Sequence, residues 1–450
     1  MKVSKRLLFF AVVTMILAAS MMVLMAGGKE KGAPKEKGMP AITIFWAEWD
    51  PANYLQELCN VYTQQTGNTA NVETTPWSDF QTKAFNEFAA RGDAYDIVVG
   101  DSQWLGRGAT QRHYVELTDW IKERGVDKSM AAATITAYAE YPKGSGKYYA
   151  VPVEGDACGW SYRKDLFEDP MEKEAFRRKY GYELKVPETW DQLLDIAEFF
   201  TRPDKNFYGC AIYTQKDYDA LTMGIENVLW AWGADLGDYK TYRVKGVLNS
   251  QDGIKSLEFY KELYKYTPPD WGNAFFPENN MAITEGLAAM SMNYYAFFPA
   301  LINPEMNKYA DGMGFFAMPK GPKDQIAALG GQGASIITYS KKQDAAYAWL
   351  EWFVKPENQA KWGELGGYTC DLKTLKSEKF LNMTPYNRSF METMQMVKDF
   401  WAVPEYAELL ESCQRRWHEY VVEGKGTAKQ SMDGIADEWE AIFEKAGYYD

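Results

Sequence analysis

The sequence predicts an α/β protein large enough for two core-bearing domains. Three observations predict it. A β-branched run at 41–46 passes through a short loop into a helix-spaced run that stops at Gly67, and a further β-type run follows near 71–74. A second strand-rich stretch, 146–167, precedes a long region of mostly helical runs. At 450 residues, with 46% apolar and 25% charged side chains, the chain has the length and composition of a globular protein with more than one core.

The elements follow in order. Residues 1–26 read as a secretory leader, with Lys2, Lys5 and Arg6 ahead of the apolar run 7–24. Residues 24–28 have the form of a bacterial lipobox with Gly where the acylated Cys would stand, so a lipid anchor is not expected. Cleavage near Ala26 would free a soluble product. Retention of the leader as a membrane anchor is the alternative. Residues 27–40, rich in Gly, Lys, Glu and Pro, read as a disordered spacer.

After the strand at 41–46, Asp50 and Pro51 read as N-cap and first helical residue. Tyr54, Leu55, Leu58, Val61 and Tyr62 then recur at helical spacing. A helix is expected over 80–91, and Asp96 opens the next strand, which ends near Asp101. The run 148–153 carries Pro152, so it is an edge strand or a crossing between units. Glu154 and Asp156 follow among small residues, and 159–162 is again β-type. Helices are expected at 189–201, 217–232, 250–266 and 279–287. Thr189 with Gln192, and later Ser340 with Gln343, have capping-box spacing. The tail 385–450 reads as helical.

The formal charge is -13, and loss of the three leader cations would bring it near -16. That excludes nucleic acid and anionic membrane surfaces as expected partners. The five Cys, at 59, 158, 210, 370 and 413, show no metal spacing, and the odd count leaves at least one thiol without a partner in the chain. No disulfide is expected. Two His, at 113 and 418, are too few and too far apart in sequence for histidine-based metal or triad chemistry. No GxxxxGK[ST] occurs, so no nucleotide site is expected, and no cofactor either.

Several stretches, taken together, resemble the bacterial extracellular solute-binding protein family 1, the sugar-binding receptors of ABC importers typified by maltose-binding proteins. They are Tyr149-Ala-Val-Pro-Val-Glu154, Tyr162-Arg-Lys-Asp-Leu-Phe167 and Val186-Pro-Glu-Thr-Trp190. Gly92-Asp-Ala-Tyr-Asp-Ile-Val-Val99 belongs with them, with Tyr95 where the family has Pro. So do Gly286-Leu-Ala-Ala-Met290 and Gly312-Met-Gly-Phe-Phe-Ala-Met-Pro-Lys-Gly-Pro322. The motifs span about 41–372 in the family's order. The resemblance implies a two-lobe periplasmic-binding-protein fold, type II-like, with a ligand cleft between the lobes. Lobe 1 would comprise 41–152 and 313–370, and lobe 2 would comprise 153–312 and 371–450, with crossings near 151–156, 312–320 and 366–375. It also implies a monomeric, non-enzymatic, periplasmic or extracellular receptor. Such a receptor delivers a carbohydrate to a permease in the inner membrane that a separate ATPase drives.

A sugar offers apolar C–H faces and a ring of hydroxyls, so its site needs flat aromatic platforms and carboxylates that accept two hydroxyls at once. In α/β sheets such groups belong at the carboxyl ends of strands. The candidates there are Glu48, Trp49, Trp77, Asp101, Trp104, Glu154 and Asp156. Trp230, Trp232, Asn293, Tyr294, Gln332 and Arg388 complete the set. One of Trp230 and Trp232 is expected in the core and the other as a platform; Trp190, Trp349 and Trp352 are core. Gly330-Gly-Gln-Gly333 is expected to let the backbone approach a ligand or the other lobe. Two rival classes remain open at this stage: a receptor of the same scaffold for a peptide or polyamine, and a secreted glycoside hydrolase using a pair such as Glu154 with Asp101.

Overall fold

The computed structural model describes residues 38–217 and 219–449; the leader and most of the spacer lie outside them. Strand β1 (Ile42–Ala47) pairs in parallel with β2 (Ala70–Thr75) and with β3 (Ile97–Asp101). Ile44, Phe45, Trp46 and Ala47 are all fully buried, because helices cover both faces of this sheet. The helix Asp50–Thr66 carries Pro51 at its start and stops at Gly67, whose φ of 76° closes the last turn. The expected cap is corrected: Trp49 holds the N-cap position without a side-chain bond, and Asp50 lies in the first turn, facing the helix's positive end.

Strand β4 (Val151–Glu154) forms the edge of the first sheet, whose order is β2-β1-β3-β10-β4, where β10 is Gln332–Ile336. Pro152, which has no N–H to donate, fits that edge position. The chain then crosses at 155–157 into β5 (Cys158–Arg163), part of a second sheet of order β6-β7-β5-β8. Here β6 is Tyr208–Ala211, β7 Ala288–Tyr294 and β8 Met313–Phe316. The helix Trp190–Phe200 is capped by Thr189, whose hydroxyl accepts from Gln192 N at 3.2 Å. Helices Ala220–Ala231, Gln251–Tyr264 and Phe276–Thr284 follow within about four residues of their expected bounds.

The return to the first sheet differs from expectation. Residues 313–316 pair with β5, so they belong to the second sheet. The crossing falls instead between them and β10 (Gln332–Ile336), passing the two-residue strand β9 (Ala327–Ala328). Near the expected third crossing, Tyr368 touches both lobes, its N–H donating to Glu154 at 3.3 Å and its hydroxyl to Tyr295 O at 2.5 Å, and β11 (Val397–Lys398) later pairs with β9. Beyond it the helices Tyr406–Val421 and Ala428–Lys445 bury Trp417 and Trp439 in the second core. Ser340 does not cap the helix Gln343–Phe353; its hydroxyl donates to the buried Asp96 carboxylate at 2.6 Å. All five Cys are buried free thiols.

Candidate functional site

Each sheet ends at a shared cavity of about 230 Å³. The first lobe brings Trp49 from the loop after β1, Trp77 from the helix start after β2, and Asp101 from the last position of β3. The indoles of Trp49 and Trp77 meet edge to face, centroids 5.3 Å apart at 77°, and Trp46 supports Trp49 from behind at 5.5 Å. The crossings contribute Asp156, Gly330 and Gln332. The second lobe contributes Tyr294 at the end of β7 and a phenyl wall in which Phe276 and Phe297 stack at 4.1 Å and 7°. Acids Asp217 and Asp219, from the loop ahead of the helix Ala220–Ala231, complete it.

The electrostatics follow from burial. Asp156 is 2% exposed, and its Oδ1 accepts from Ala157 N at 2.9 Å and Ala296 N at 3.1 Å. Burial pushes its carboxyl up to about 8, with those backbone donors holding it lower than burial alone would. Burial likewise lifts Asp219 to about 7. The Gln103 amide lies between the two lobes: in one orientation its N–H donates to Asp219 Oδ2 at 3.4 Å, in the other to the Asp101 carboxylate at 3.1–3.2 Å. Asp219 Oδ1 and Gln332 Oε1 are buried acceptors without a hydrogen-bond partner.

The structure brings Trp49, Trp77, Asp101, Asp156, Tyr294 and Gln332 together on this wall. The other candidates stand elsewhere, each for a physical reason. Glu48 is exposed beside Trp49, its backbone N–H tied to Thr75 O. Trp104 is core, packed on Phe80 at 4.8 Å, because the short helix after β3 turns it inward. Glu154 points behind the wall: fully buried, it accepts from Tyr368 N at 3.3 Å, and burial, with Asp156 nearby, holds its carboxyl well above the usual range. Neither Trp230 nor Trp232 lines the cavity. Trp230 donates to Asp235 at 3.3 Å, and Trp232 packs on Phe259 at 4.5 Å. Asn293 is fully buried and holds the carbonyl of Phe276 at 3.1 Å, so it fixes the phenyl wall from behind. Arg388 lies exposed against Glu378 and Asn382.

Sequence reasoning missed Gln103, Asp217, Asp219, Phe275, Phe276 and Phe297. A signal existed for two of them: Phe275-Phe276-Pro277 sets adjacent aromatics just ahead of a helix. A second cavity, of about 250 Å³, lies between the 132–143 segment and residues 397–403. Its cations are engaged: Lys398 pairs with Asp235, and Lys143 sits 4.0 Å over the Tyr239 ring. Among the described residues no group of three or more His, Cys, Asp or Glu could hold a metal, and no helix is long and apolar enough to cross a membrane.

Comparison with known proteins bears on the family and the fold. The family model for bacterial extracellular solute-binding proteins matches residues 47–360. The mannitol-binding protein of Pseudomonas aeruginosa is 28% identical over 211 residues, 46% of this chain and 45% of that protein. The chain therefore spans less than half the length of that relative. The erythritol/L-threitol-binding protein of Mycolicibacterium smegmatis is 20% identical over 362 residues, 76% of this chain and 72% of that one. Among solved structures, an ABC transporter solute-binding protein of Agrobacterium radiobacter K84 in complex with ribitol superposes with a TM-score of 0.73. It is 23% identical and is covered over 98% of its length by 90% of this chain. The fold is thus the two-lobe solute-binding fold.

Proposed function

The chain belongs to the family of bacterial extracellular solute-binding proteins, and on that premise we propose that it captures a small carbohydrate, a sugar or sugar alcohol, for an ABC importer. The observation that carries the reading is the cavity at the strand ends, where crossed indoles from one lobe face carboxyls and phenyls from the other. Apolar C–H faces stack on the rings while hydroxyls donate to the acids. The volume of about 230 Å³ is below the roughly 300–1,000 Å³ usual for drug-sized ligands. That favours one ring or one extended polyol over an oligosaccharide. The ligands named for the relatives, mannitol and erythritol or L-threitol, are of that size class.

Binding in this reading involves no bond making or breaking. A ligand touching both lobes favours the closed arrangement by its differential affinity for it, and the closed receptor docks on a membrane permease. The protein acts outside the cytoplasmic membrane as a monomer. A thermal-shift panel of sugars and sugar alcohols tests the reading. A binder raises the melting temperature and changes Trp fluorescence, because Trp49 and Trp77 line the cavity. If no hydroxylated compound shifts the transition while polyamines or peptides do, the carbohydrate reading falls.

A further inference from the structure

The cavity divides into a polar side and an apolar side. Asp101 at the end of β3 stands opposite Gln332 in the register of β10, and Asp156 lies two residues past Glu154, the partner of Gln332 in β4. Asp219 joins them, 3.4 Å from Gln103. All four are buried, so their acceptors are recessed, and Asp156 Oδ1 already accepts from two backbone N–H groups. Phe275, Phe276, Phe297 and Met223 come from the second lobe and are only partly buried on the same lining. These rings are not one platform. Phe276 and Phe297 lie nearly parallel, at 7°, whereas Phe275 stands across Phe276 at 64°, with centroids 4.8 Å apart. On the first lobe's side Trp49 and Trp77 meet at 77°. A sugar ring has two flat C–H faces, and its hydroxyls project from the rim. Rings set at such angles reach past the two faces and enclose part of that rim. Phenyl carbons accept no ordinary hydrogen bond and a thioether sulfur only a weak one, so a hydroxyl held there gives up water without return.

Resting on the carbohydrate reading above, we propose that the ligand is a deoxy sugar or deoxy sugar alcohol, with a methyl group where its parent carries a hydroxymethyl, and that this methyl seats against Phe276, Phe297 and Met223. The remaining hydroxyls turn to the polar side, toward Asp156, Asp219 and Gln332. The methyl gains burial among the rings, whereas the hydroxyl that it replaces would be held there without a partner. The volume of about 230 Å³ keeps the apolar group small.

Calorimetry on the mature chain with matched pairs tests this: L-fucose against L-galactose, L-rhamnose against L-mannose, D-quinovose against D-glucose, and L-fucitol against galactitol. For at least one pair, the deoxy member binds about tenfold or more tightly than its hydroxylated parent. A smaller lead in every pair, complete silence included, overturns the inference. Met223→Gln and Phe297→Tyr each place a polar group on the apolar side at nearly unchanged size. In at least one of them the lead of the deoxy member shrinks by about threefold or more, while the melting transition reports a folded protein. A lead unchanged in both variants also overturns the inference, because the methyl would then lie elsewhere. A fully hydroxylated sugar or polyol as the tightest binder leaves the carbohydrate reading standing. Binding of putrescine, spermidine or a short peptide with no carbohydrate bound overturns both.

Discussion

The two walls of the cavity are built by different means. The first lobe offers Trp49, Trp77 and Asp101, each at or just past the carboxyl end of a parallel strand. The second lobe offers Phe276, Phe297, Asp217 and Asp219, which hang from loops and helix starts, with Tyr294 alone at a strand end. One wall is set by sheet register, the other by hydrogen bonds that pin loops, such as Asn293 to the Phe276 carbonyl. The crossing residues join them: Asp156 accepts a backbone donor from its own crossing and another from Ala296, beyond the end of β7. The difference suggests that the first lobe fixes where a ligand lies, and the second adapts the chemistry around it.

Breaking the junction should have the largest effect. Asp156→Ala strands the buried N–H groups of Ala157 and Ala296, at about 1–3 kcal/mol each. Urea unfolding should show a loss of about 2–4 kcal/mol. A loss below about 1 kcal/mol would mean that the two walls are joined by other contacts.

The walls themselves are compared by truncating their rings. Trp49→Ala and Trp77→Ala should each weaken the tightest binder of the panel by about ten- to a hundredfold. Phe276→Ala and Phe297→Ala should cost about three- to tenfold, since each phenyl offers less area. Titration calorimetry reads both sets, and the reverse ranking would move the gripping surface to the second lobe.

A smaller effect comes from buried acids on and behind the walls. Asp156 is pushed up to about 8, and Asp219 and Asp399 to about 7, all mainly by burial. An acid raised in the fold binds more protons when native than when unfolded, so its contribution to stability falls as pH rises. The window runs from about pH 4, the unfolded value, to about pH 8. The melting temperature of the ligand-free protein should therefore drop by several degrees between about pH 5.5 and about pH 8. Asp219→Asn should flatten that slope; an unchanged slope would assign the titration to other groups.

The same contrast explains what the sequence made legible. Residues 41–46, Gly67 and Pro152 announce strand, helix stop and edge strand through local chemistry, so the first lobe and its strand-end candidates could be named. Of the second wall only Tyr294, at a strand end, could be named, because Asp219 and Phe297 reach the cavity only through packing of loops distant in sequence. Trp104 and Trp232 misled for a related reason. Their side-chain directions depend on short turns, and a Trp after a strand looks the same in sequence whether it faces a ligand or Phe80. Glu154 and Asp156 show how fine the distinction is: two residues apart in one crossing, one lies behind the wall and one on it.

Arg388 provides the smallest expected effect and the sharpest control on where the walls end. Its guanidinium lies 3.3 Å from Glu378, with side chains 56% and 79% exposed, so water screens the pair. Its bond to Asn382 is likewise on the surface. Arg388→Ala should therefore change stability by no more than about 0.5 kcal/mol and leave ligand affinity within about twofold. A larger loss of affinity would mean that the lobes close further in solution and carry Arg388 to the ligand. That outcome would add a guanidinium to the polar groups that the ligand meets.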